Sequence, residues 1–109
     1  MNWKMRLAIT LWAAVLSAVP GPAQALNDAS QGKRLATQWC ASCHLVTPDQ
    51  TRASADAPPF MTIAKRSEEA LGRLPSFLTD PHPKMPNFNL SRQAIGDLVA
   101  YIRSLNPKP

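Results

Sequence analysis

The chain has 109 residues, 45% of them hydrophobic, with twelve basic and seven acidic side chains and a formal charge of +5. That length points to one domain, and two cysteines are too few for a disulfide framework. The positive balance comes without a basic stripe interleaved with aromatics, so it makes no case for nucleic-acid binding.

Residues 1–25 read as a secretory signal. Lys4 and Arg6 form the positive start, Leu7 to Val19 the apolar stretch, and Ala23-Gln24-Ala25 the small-residue cleavage pattern. The alternative is an uncleaved signal that anchors the chain to the membrane. The apolar run falls short of the roughly 20 residues of a spanning helix, and Pro20-Gly21-Pro22 closes it, which favours cleavage after Ala25. The remaining 84 residues, 26–109, have lost Lys4 and Arg6, so ten basic residues stand against seven acidic ones and the balance falls to +3. A chain this short buries a thin core and commonly depends on a staple or cofactor.

Asn27 or Asp28 can cap a first helix in which Gly32, Leu35, Ala36 and Trp39 recur at three- and four-residue spacing. Gly32 inside it costs about 1 kcal/mol relative to alanine, which calls for a packing reason such as the close approach of another helix.

The helix leads into Cys40-Ala41-Ser42-Cys43-His44. Two thiols three residues apart, followed at once by an imidazole, form the pattern for covalent c-type haem attachment. With Cys40 and Cys43 on one turn of helix, their sulfurs can form thioethers to the two vinyl groups along one porphyrin edge. His44 then offers a neutral ring nitrogen as the proximal iron ligand. One covalently bound haem c is therefore the expected cofactor.

Thr47 to Ala57 is polar and reads as a loop, ended by Pro58-Pro59-Phe60. A proline carbonyl is a natural acceptor for the other ring N–H of the proximal histidine, and Pro58 is the candidate, with Pro59 its neighbour. The pair also suits a helix start at Phe60, with Phe60, Met61, Ile63 and Ala64 as core contacts. Ser67-Glu68-Glu69 looks like the next helix start, with Ala70, Leu71, Leu74, Phe77 and Leu78 on its apolar face and Pro75 placed to divide it.

Pro81, Pro83 and Pro86 rule out a regular helix from Thr79 to Asn89, so Met85 sits on a stiff, extended loop. Three side chains after the signal qualify as a second axial ligand: Met85, Met61 and His82. Met61 lies on a helix and suits the core, and His82 suits an exposed loop position. The last element is a helix capped by Ser91, with Ala94, Ile95, Leu98, Val99, Ile102 and Leu105 as a continuous apolar stripe, Tyr101 at its edge, and Asn106-Pro107 as its stop.

Residues 26–109 resemble the class I cytochromes c. The haem motif stands at Cys40 to His44, the distal methionine loop at Lys84-Met85-Pro86, and the C-terminal helix signature at Asp97-Leu98-Val99-Ala100-Tyr101-Ile102. The resemblance implies an all-α fold of three to five helices around one haem. Its terminal helices cross where a glycine meets an aromatic, here Gly32 and Tyr101. It implies His44 and Met85 as axial ligands, and Pro58 as the carbonyl bonded to the histidine. The family often has an aromatic four residues before the first cysteine, where this chain has Ala36, leaving room for Trp39 or Tyr101 to repack. The 41 residues from His44 to Met85 match the smaller bacterial members.

A thiol–disulfide oxidoreductase would need a βαβ pattern around Cys-x-x-Cys, and no strand pattern is present. A zinc site from Cys40, Cys43, His44 and His82 conflicts with the adjacency of Cys43 and His44. The expectation is a soluble periplasmic monohaem carrier of single electrons, not an enzyme, with redox proteins as partners and Lys84 on the docking face. It would act as a monomer or as a subunit of a complex. The alternatives are the cytochrome subunit of a larger periplasmic dehydrogenase or oxidase, and an open-site haem protein with peroxidase or gas-binding activity.

Overall fold

The computed structural model describes residues 26–54, 56–81 and 84–108. The signal segment expected at 1–25, and His82 and Pro83 of the methionine loop, lie outside the described residues. Five helical segments follow in order: α1 (Ala29–Trp39), α2 (Phe60–Ala64), α3 (Glu68–Gly72), α4 (Leu74–Thr79) and α5 (Arg92–Ser104). Among the described residues there is no strand, as an all-α fold requires. No helix among them is long and apolar enough to cross a membrane.

The helix starts follow local chemistry. The Asp28 carboxylate accepts hydrogen bonds from the backbone N–H of Ser30 at 2.8 Å and of Gln31 at 3.2 Å. Ser67 and Ser91 cap α3 and α5, each hydroxyl accepting the backbone N–H three residues on. Glu68 and Glu69 occupy the first turn of α3, where the helix dipole favours negative charge. Pro75 does divide the expected single helix. The break falls at Arg73, and Pro75 sits in the first turn of α4, where its missing N–H costs no hydrogen bond.

α1 and α5 cross in close contact. A Cβ built on Gly32 would lie 1.9 Å from the Asp97 carbonyl oxygen and 2.8 Å from the Tyr101 Cβ, so the backbones meet where only hydrogen fits. The buried Asp97 carboxylate accepts the Asp28 N–H at 2.7 Å and the Gln93 amide at 2.8 Å, which ties the start of α1 to the middle of α5. Ala36, Ile63, Ala64, Leu71, Leu98 and Ile102 form the core between these helices and α2 and α3. Arg103 reaches Glu68 at 2.6 Å across the surface, an exposed pair worth at most about 1 kcal/mol.

Two aromatic positions differ from the reading by periodicity. Tyr101 is buried rather than at the edge of the stripe, and its hydroxyl donates to the Val46 carbonyl at 2.5 Å. Trp39 is no part of the core, with 42% of its surface exposed. It turns outward because α1 ends there, and its ring packs on Phe88 with centroids 5.2 Å apart. Ala36 is fully buried without any repacking of Trp39 into its place.

Candidate functional site

Cys40 to His44 lie beyond the last residue of α1, on a hydrogen-bonded turn rather than within the helix. The N–H groups of Cys43 and His44 both donate to the Cys40 carbonyl, at 3.1 and 2.8 Å. Cys40 is buried and Cys43 exposed. Burial, reinforced by the neighbouring Cys43, pushes the Cys40 thiol up to about 11.

His44 is 9% exposed, and its Nδ1 lies 2.7 Å from the Pro58 carbonyl oxygen. The carbonyl can only accept, so Nδ1 carries the proton and Nε2 is left with the free lone pair. Pro59 lies beside it in sequence, but its carbonyl already accepts the N–H groups of Thr62 and Ile63 in the first turn of α2. Phe60 is the wall behind the imidazole, with ring centroids 5.2 Å apart, and its N–H donates to the Leu45 carbonyl at 2.9 Å.

The motif opens on two cavities of about 450 and 160 Å³, within the about 300–1,000 Å³ typical of small-molecule sites when taken together. Both are lined by Cys40, His44, Pro58 and Met85. The larger runs over Leu74, Phe77 and Leu78 of α4, a helix with no buried residue of its own. The smaller reaches the outside between Trp39, Cys43, Lys84 and Phe88. Met85 is half-buried on the irregular Lys84–Leu90 segment, whereas Met61 packs against the core.

These residues fit a covalently held haem. A flat apolar group in the larger cavity would cover the side chains that α4 leaves open. Arg66 and Arg73 at its lining would face carboxylate substituents; Cys40 lines it beside His44, and Cys43 joins both at the lining of the smaller cavity. Arg66 carries no motif in the sequence, and only the packing of α2 against α5 reveals its place.

One further residue escapes sequence reasoning altogether. Gln50, in the polar loop after the motif, accepts the Val46 N–H at 2.9 Å. Its amide nitrogen lies 2.9 Å from each of the carbonyl oxygens of Ala41, His44 and Arg52. A glutamine in a polar loop gives no signal of such a position.

The profile of the family described as cytochrome c oxidase, cbb3-type, subunit III matches residues 27–102. A protein named cytochrome c-552 from Bradyrhizobium diazoefficiens is 54% identical over 80 residues, which cover 73% of this chain and 77% of that protein. No solved structure matches significantly. With the thiols and imidazole gathered on one apolar cavity and most of the chain matched, the protein belongs to the class I c-type cytochromes, electron-transfer proteins with one covalently attached haem c.

Proposed function

We propose that this protein is an exported carrier of single electrons in which Cys40 and Cys43 anchor the haem and His44 and Met85 are its two axial ligands. When bound, the haem supplies one Fe(II)/Fe(III) couple. The observation that carries the reading is the pairing of His44 and Met85 on the same cavities, with His44 Nδ1 already committed to Pro58. That bond holds Nε2 in its unprotonated form and keeps the ring from turning. A neutral imidazole and a thioether need neither gain nor lose a proton when the iron changes charge, so both stay in place through the cycle. With Met85 in the sixth position no site remains for peroxide or a gas, and no residue is assigned a catalytic role.

The rim around Trp39, Cys43 and Lys84 is the proposed docking face for redox proteins, because there the cavity meets the outside beside an exposed cation. The segment 1–25 supports export to the periplasm, which cell fractionation and N-terminal sequencing of the purified protein would check.

The deciding experiment is the red sulfur-to-iron charge-transfer band of the ferric protein. Met85→Ala abolishes it and lets added imidazole bind; a band that survives the substitution overturns the ligand assignment. The description of the matching family favours a second reading, in which the chain is the cytochrome subunit of a terminal oxidase. Purification from solubilised membranes in a stable complex would establish it over the free carrier.

A further inference from the structure

The turn that carries the thioether cysteines has the problem of every helix end, carbonyl groups left without helical partners. Cys40 caps α1, and its own carbonyl takes the N–H groups of Cys43 and His44. The carbonyls of Ala41 and His44, inside the motif itself, are taken by Gln50. Its amide group can be oriented in only one way: three carbonyl oxygens need the NH2 end and the Val46 N–H needs the oxygen. With two hydrogens for three acceptors at 2.9 Å, one hydrogen is shared.

Besides the bond of its own N–H to the Cys40 carbonyl, His44 is held at three places by three different residues. Pro58 fixes the ring at Nδ1, Phe60 fixes the following backbone through the Leu45 carbonyl, and Gln50 fixes the backbone of His44 itself. The Pro58 bond restrains rotation of the ring, while the Gln50 bond to the His44 carbonyl, together with the His44 N–H bond to Cys40, sets the direction of the Cα–Cβ bond that carries it. The thioethers restrain only residues 40 and 43.

We propose that Gln50 is the positioning residue of the proximal side: its Nε2 bridges Ala41 and His44 and so sets the orientation of the His44 imidazole on the haem iron. This rests on the reading that His44 is an axial ligand. Gln50 acts through the backbone and touches neither the iron nor the porphyrin.

Two variants of the haem-loaded protein separate this role from packing. Gln50→Met keeps length and volume and loses every hydrogen bond. Gln50→Glu keeps the acceptor for Val46 and loses the donors to Ala41 and His44. The readouts are the hyperfine-shifted haem methyl signals of the ferric protein, whose order and spread follow the axial ligand planes, and the reduction potential; Gln38→Met, at an exposed position of α1, is the control. Both Gln50 variants are expected to change the methyl pattern and the potential while the control matches wild type. In both, the N–H groups of the 40–46 turn exchange about fivefold faster or more, since the net contribution of a single hydrogen bond already corresponds to about that factor. An unchanged pattern and potential in both variants overturns the proposal. So does a change confined to Gln50→Met, because the Val46 bond alone would then be the tie. The ligation reading fails separately, if the His44 ring signals of the wild type show no hyperfine shift.

Discussion

Gly32 and Asp97 meet backbone to backbone at the crossing of α1 and α5, with no room for a methyl group between them. The contact is against a carbonyl, not the movable end of a side chain, so relief requires the helices to separate. Gly32→Ala is therefore expected to cost about 3 kcal/mol or more. In a domain this small that lowers the Tm of the haem-loaded protein by more than about 10 °C. A melting curve within a few degrees of wild type would sink the assigned crossing.

Tyr101→Phe keeps the ring in the core and removes the donor to the Val46 carbonyl. Leaving that buried acceptor without its partner costs about 1–2 kcal/mol in denaturant titrations, with the haem spectrum unchanged. Burial, followed by the nearby Asp49 charge, raises the Tyr101 phenol above its usual range. Its stabilising effect is thus complete below the usual phenol value of about 10 and is lost as pH rises through the raised one. The Phe variant loses less stability than wild type over that alkaline interval, and equal losses would count against the buried phenol.

The hydroxyl of Ser30 and the N–H groups of Gln31 and Ser30 hold the Asp28 carboxyl below its usual range. A depressed carboxyl stabilises the fold above its unfolded value, about 4, and that contribution disappears as pH falls through the folded one. Asp28→Asn keeps a capping oxygen and cannot titrate. Its stability is expected to fall less steeply than that of wild type below pH about 4, as read from denaturant midpoints at successive pH values. Parallel acid limbs would show that the cap is not charged.

The ring contact of Trp39 with Phe88 joins the residue before Cys40 to the loop that carries Met85. Such pairs are worth about 0.5–1.5 kcal/mol beyond buried area. Phe88→Leu is expected to raise the affinity of the ferric protein for added imidazole by about three- to tenfold, because the methionine loop opens more readily. Trp39→Leu in the same background adds little if the two rings act as one contact, and full additivity would show that they do not.

What the sequence determined by itself was local: the Cys40 to His44 spacing, a first cap at Asn27 or Asp28, the caps at Ser67 and Ser91, the division at Pro75 and the methionine on a proline-rich loop. Each depends on residues within a few positions of one another, where backbone sterics and short hydrogen bonds decide the outcome. Pro58 and Pro59 mark the limit of that reading, since either carbonyl suits an imidazole until α2 forms and consumes the second one. Tertiary structure alone decided the outward turn of Trp39, the burial of Tyr101 against Val46 and the arrival of Arg66 at the cavity. It also closed the grip of Gln50 on the haem turn. Those depend on which backbone groups remain unpaired after the helices have packed, and that is settled by contacts between segments far apart in the chain.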